Sequence, residues 1–158
     1  MVAQRPLVAS LILAALTATS IAAPDDAMAQ NADVNNRQRT SRPLQSTYWK
    51  AIEIAGKAIP ALPGTRDAHL VFQADGRMSG SDGCNRIAGG YEVKEDRIAF
   101  GQTLGTRMAC PGTGEVEQGF RAALKDANRW RIAGDRLELF DAAGARLAVF
   151  EGRAPAPQ

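Results

Sequence analysis

Cys84 and Cys110 are the only thiols of this 158-residue chain and His69 is its only histidine, so thiol, metal or nucleophilic chemistry would have to run through very few side chains. The two cysteines stand too far apart for the C-x-x-C spacing of dithiol redox centres. An even thiol count in a chain with an export leader predicts a structural disulfide instead, worth about 3–4 kcal/mol through loop closure. His69 falls in an apolar strand pattern, where a lone imidazole is a hydrogen-bonded structural residue rather than a zinc ligand or triad member. Neither Ser79 nor Ser81 sits in G-x-S-x-G. The stretch Gly80-Ser81-Asp82-Gly83-Cys84-Asn85, with Gly89-Gly90 after it, implies tight backbone turns but matches no phosphate-loop pattern. Asp75, Asp82 and Asn85 lack the spacing of a calcium loop. Glu92, Glu95, Asp96, Glu115 and Glu117 read as turn and helix-start acids rather than as a paired acid and base. The expectation is therefore no catalytic set, no metal and no cofactor. The alternative is an enzyme or thiol-redox protein working through Cys84/Cys110 or His69.

The sequence that must position these groups has room for one small domain. With 45% apolar and 23% charged residues it is neither disordered by composition nor a membrane bundle. A net charge of +2, with Lys and Arg spaced singly among acids, is no nucleic-acid footprint, so no nucleic-acid partner is expected. Residues 1–29 have the marks of a cleaved signal peptide: Arg5, the apolar run from Leu7 to Ala23, and Ala27-Met28-Ala29 before a cut after Ala29. The apolar run is shorter than the ~20 residues a bilayer core requires, so no transmembrane anchor is expected after cleavage. The mature chain is expected to be periplasmic or secreted. Residues 30–45 are polar and aperiodic and read as a flexible lead-in, with the domain starting near Ser46. Residues 154–158 alternate Pro with small residues and read as a disordered tail.

Within 46–153 the hydrophobic period is mostly two. Tyr48 to Ile54, Ala68 to Gln73, Ile87 to Val93, Arg97 to Gly101, Trp130 to Ala133, Leu137 to Phe140 and Leu147 to Glu151 read as strands, punctuated by Gly and Asp turns. Arg129-Trp130-Arg131 fits this alternation, with Trp130 and Ile132 inward and both Arg outward. From Glu115 to Ala127 the period changes: Val116, Phe120, Ala123, Leu124 and Ala127 form one apolar helical face. Thr113 is the expected N-cap, and Gly119 is a modest weakness inside the helix. The fold class expected is α+β, a curved antiparallel sheet of about seven to eight strands packed with one amphipathic helix.

Several blocks, taken in order, resemble the META domain (HslJ-like) family. They are Trp49, Leu70-Val71-Phe72 before Asp75-Gly76, Met78-Ser79-Gly80, Gly83-Cys84-Asn85-Arg86 with Gly89-Gly90-Tyr91, Thr106-Arg107-Met108-Ala109-Cys110, and Gly134-Asp135-Arg136-Leu137-Glu138-Leu139 before Gly144 and Phe150. The resemblance covers roughly Ser46 to Arg153. It implies antiparallel strands with one helix in exported or envelope-attached bacterial proteins that have no agreed enzymatic activity. Bacterial members are associated with heat stress and drug tolerance, and the fold has been compared with small lipid-binding secretion chaperones. Many relatives are lipoproteins, whereas this chain lacks the lipobox cysteine. The functional expectation is a monomeric, non-enzymatic, stress-associated envelope module whose partner is another protein or an apolar small ligand. Phe120 and Leu124, at the helix edge, are the candidate groove lining.

Overall fold

The computed structural model describes residues 41–61, 64 and 66–154; the expected leader, most of the lead-in and the end of the tail lie outside the described residues. Among the described residues the strands are β1 (Tyr48–Ile54), β2 (Lys57–Ala58), β3 (His69–Phe72), β4 (Arg77–Ser81), β5 (Arg86–Lys94), β6 (Arg97–Phe100), β7 (Leu104–Gly105), β8 (Arg129–Ala133), β9 (Arg136–Phe140) and β10 (Arg146–Arg153), with one helix, α1 (Gly114–Asp126), between β7 and β8. Their pairing runs β10-β9-β8-β6-β5-β4-β3-β1, and β1 pairs again with β10, so the sheet closes on itself. The α+β class stands, but the curved sheet is an eight-stranded antiparallel barrel. Closure removes the two open edges that a meander would leave.

Trp49, Leu70, Phe72, Met78, Ile87, Tyr91, Ile98, Leu137, Leu139, Ala148 and Phe150 are buried and fill the barrel. On β1, Trp49 and Ala51 point inward by simple alternation, and a register shift between Ala51 and Glu53 then brings Ile54 inside. The seam between β6 and β8 is thin. It holds one register pair, Arg97 opposite Arg129, flanked by Ile98 N–H to Asn128 O at 3.1 Å and Trp130 N–H to Asp96 O at 3.0 Å.

β4 was not expected as a strand, because Met78 is its one large apolar residue and Ser79, Gly80 and Ser81 have little strand propensity. The structure shows why glycine is there. A Cβ at Gly80 would lie 2.0 Å from the His69 carbonyl oxygen on the paired strand β3. The domain also starts earlier than Ser46. Arg42 N–H reaches Gly134 O at 2.9 Å, Ser41 Oγ accepts from Gly134 N–H at 3.3 Å, and Gln45 bridges to Phe72. These bonds attach the end of the expected lead-in to the β8–β9 turn and to β3.

Helix α1 packs its buried residues Phe120, Ala123 and Leu124 against the barrel interior, with Phe120 edge-on to Phe150 at 6.0 Å between ring centroids. Thr113 is the N-cap residue as expected, but its side chain makes no cap hydrogen bond. Its hydroxyl goes instead to Cys110 O at 2.9 Å and to the Glu117 carboxylate. Gly119 is where the helix comes closest to β1, since a Cβ there would lie 2.8 Å from Ile54 Cγ2.

Gly119→Ala in an unobstructed helix would gain about 0.5–1 kcal/mol. Here the branched Ile54 methyl has little freedom to move away, and the substitution is expected to lose about 1–3 kcal/mol by overpacking. Urea unfolding of Gly119→Ala, Ile54→Ala and the double variant checks this. The double variant should be more stable than the sum of the single changes, and additive effects would contradict the close approach.

Candidate binding face

The two sequence blocks that carry the family resemblance meet in space. The first is the β4–β5 turn. Gly83 takes φ +102°, a left-handed conformation suited to glycine, and Asp82 N–H bonds to Asn85 O at 3.1 Å. The Asp82 carboxylate, 0% exposed, accepts from Cys84 N–H at 3.2 Å and Asn85 N–H at 2.7 Å on Oδ1. Its Oδ2 accepts from Arg121 of α1, from Nε at 2.9 Å and from an amino group at 2.7 Å. A buried carboxylate is tolerated when it is satisfied in this way.

The second block belongs to an arm, residues 101–110, that links β6 to α1. Its backbone is pinned at successive points. β7 pairs with Ile87 and Ala88 of β5, and Arg86 and Thr106 exchange two bonds of 3.1 Å, Thr106 N–H to Arg86 O and Arg86 N–H to Thr106 Oγ1. Asn85 Oδ1 accepts from Met108 N–H at 2.7 Å and from Thr106 Oγ1 at 3.1 Å, while Asn85 Nδ2 donates to Glu117 Oε2 at 3.1 Å. Cys84 and Cys110 form a disulfide across 26 residues, with Cα atoms 5.8 Å apart. Among the described residues no buried side-chain nitrogen or oxygen lacks a partner.

Because the backbone and the buried side chains take up these bonds, the arm's other side chains face outward. Leu104 is 68% exposed and Met108 55%, and Arg107 is also exposed. Between the arm and α1 lies a groove of about 420 Å³ bordered by Ile87, Phe100, Leu104, Arg121, Leu124 and Lys125. The two residues expected to line a groove are both buried, Phe120 at 1% and Leu124 at 3% exposure. Leu124, although in the core, also borders this groove, and Phe120 lies against Phe150. Phe120 sits one helical turn earlier, over the barrel interior, and does not border this groove.

The remaining candidates have local partners. His69 Nδ1 lies 2.8 Å from Asp67 O, and its ring stacks on Tyr48 at 4.4 Å. Glu117 is bound within the cluster, Glu115 lies 4.0 Å from Lys57, and Glu95 and Asp96 form the β5–β6 turn. Asp75 holds Arg77 at 2.6 Å, and that guanidinium keeps its carboxyl below the usual carboxylate range. No group of His, Cys, Asp and Glu among the described residues is arranged to hold a metal ion. No helix among them is long and apolar enough to cross a membrane. Sequence reading missed Asp82, Glu117 and Arg121 as a set. The one available signal was the four-residue spacing of Glu117 and Arg121, which places them on one side of the helix.

This geometry defines a class, a small closed barrel with one packed helix, in which a disulfide and a buried polar cluster pin an exposed arm. The META domain model matches residues 42–154, and the chain belongs to the META domain family. No curated protein is similar enough to match the chain. An NMR structure of a protein from Burkholderia xenovorans is 25% identical, with TM-score 0.55, covering 90% of this chain and 99% of that one. A second NMR structure is 21% identical, with TM-score 0.54, covering 68% and 90%. The crystal structure of a DUF4847 family protein from Bacteroides vulgatus ATCC 8482 is 16% identical, with TM-score 0.50, covering 72% and 96%. The likeness to the last two is one of fold.

Asn85→Ala removes the acceptor of the Met108 amide and the donor to Glu117, and is expected to cost about 2–3 kcal/mol. Hydrogen exchange should show the Met108 amide losing protection beyond that global loss, while the Leu137 and Leu139 amides lose no more than it accounts for; uniform loss would make Asn85 an ordinary core residue. Tyr48 offers a pH test. Burial and the nearby Asp67 raise its phenol above the ordinary 10.0, against a smaller opposite pull from Arg153. The folded chain then holds this proton more tightly than the unfolded chain, so the contribution is complete below about pH 10 and is lost as pH rises through the folded value. Stability curves of the parent and Tyr48→Phe should converge or cross only on that alkaline limb.

Proposed function

We propose that this META domain protein is an exported, non-enzymatic binding or interaction module of the bacterial envelope, associated with stress tolerance, and that it works through the groove between the arm and α1. One observation carries this reading: the conspicuous polar and sulfur groups are consumed in holding the arm, and the arm leaves an apolar-floored groove beside it. The half-buried Phe100, with the buried Ile87 and Leu124 beneath, supplies the floor, and Leu104 is a side wall open to solvent. Such a concavity, with a few polar groups at its rim, suits a small apolar ligand. Export rests on the leader-like residues 1–29, and the stress association rests on the family.

The thiol-redox alternative has weaker support. Cys84 is buried and its partner Cys110 is only partly exposed, so the disulfide offers an attacking thiolate little access. His69 spends its ring contacts on Tyr48 and Asp67.

Titration with the neutral apolar dye N-phenyl-1-naphthylamine tests the groove. Fluorescence enhancement with a micromolar dissociation constant is expected, and Leu104→Glu, at an exposed site, should weaken it about tenfold or more while leaving the unfolding midpoint unchanged, since burying one Leu is worth about 1.5–3 kcal/mol. Saturable binding indifferent to Leu104→Glu would move the ligand elsewhere. No binding at all would overturn the small-ligand reading.

A further inference from the structure

We infer that the arm is a docking element for an anionic phospholipid bilayer, with Met108 and Leu104 entering the interface and Arg86 and Arg107 meeting the headgroups. This goes beyond the groove reading and does not depend on it. Single exposed apolar side chains are ordinary on protein surfaces. Here, however, two of the three large apolar side chains exposed among the described residues, Leu104 and Met108, stand four positions apart on one arm. That arm is not loose, because the β7 pairing, the Asn85 bonds and the disulfide at Cys110 fix its backbone, so little order need be gained on docking.

The arm itself carries charge of one sign. Residues 101–110 and the strand segment 86–91 contain no Asp or Glu. Arg86 and Arg107 are exposed and enter none of the ion pairs found among the described residues, nor does Lys125 at the groove rim. Two acids of the adjoining cluster, Asp82 and Glu117, are committed to Arg121, Asn85 and Thr113. The result is a cationic surface with apolar side chains on it, the complement of an anionic lipid headgroup layer over hydrocarbon. A protein partner fits less well. Stable protein interfaces bury about 800 Å² on each side around aromatic anchors, and the arm contains no aromatic residue. A bilayer accepts isolated side chains and supplies many headgroups at once.

The test is co-sedimentation of the chain, purified after export with its N-terminus read by mass spectrometry, with vesicles of phosphatidylcholine alone or with about one third phosphatidylglycerol. All variants carry the same N-terminus, so any contribution from it cancels. Binding to the anionic vesicles should be at least tenfold tighter, and should fall away in about 0.5 M salt as the charges are screened. Arg86→Glu/Arg107→Glu should abolish the preference for anionic vesicles, and Met108→Ser should weaken binding several-fold at unchanged charge. Thermal unfolding confirms that these exposed substitutions leave the fold intact. None of the three residues borders the groove, so dye binding should be unaffected by them, and failure of the groove reading would appear there instead. Equal binding to both vesicles, no binding, or indifference to all three substitutions would overturn the proposal; retention of a protein partner by a vesicle-inactive parent would assign the arm to protein recognition.

Discussion

The Asp82 carboxylate has no contact with water, and the arrangement of one end of the barrel follows from satisfying it. An uncompensated ion in such a place would cost several kcal/mol. Two backbone amides of its own turn and the guanidinium of Arg121 on α1 supply the compensation. The turn must therefore hold the conformation that Gly83 permits, and the helix must present Arg121 to it. Strand hairpin and helix are coupled by one oxygen pair, although 39 residues separate them.

Asn85 and the disulfide extend that constraint to the arm. Asn85 uses its carbonyl on the Met108 amide and the Thr106 hydroxyl, and its amide on Glu117, one helical turn before Arg121. Cys84, between Asp82 and Asn85 in the turn, bonds covalently to Cys110 just before the helix. A segment with almost no buried side chains of its own thereby acquires a defined course. Its stability comes from polar satisfaction and a covalent link rather than from apolar burial, and so Leu104, Arg107 and Met108 remain at the surface.

The barrel imposes the complementary constraint of space. At three positions where a Cβ would collide with a neighbouring backbone or side chain, a glycine stands in the sequence. Gly80 lets β4 lie against the His69 carbonyl, Gly119 lets α1 reach Ile54, and a Cβ at Gly152 would lie 2.9 Å from the Trp49 ring. The thin β6–β8 seam is consistent with this economy, because α1 packs against β6 as well as β1 and β10 and shares the covering of the core there.

Much of this was legible from residue order alone. Period-two runs located most strands within a residue or two, the change to a helical period located α1, and two cysteines in an export-like chain pointed to their own pairing. Local physics is enough for these, since alternation, turn glycines and an apolar helical face act over a few residues. β4 escaped because its glycine and serines answer to a neighbouring strand rather than to their own propensity. The early domain start escaped because Ser41 and Arg42 are held by Gly134, far along the chain. Closure of the sheet, the burial of both Phe120 and Leu124 in the core, and the use of Asp82, Asn85, Glu117 and Arg121 as one cluster were decided by tertiary structure. Each depends on which distant groups are brought within hydrogen-bonding or van der Waals reach, and neither composition nor spacing encodes that distance.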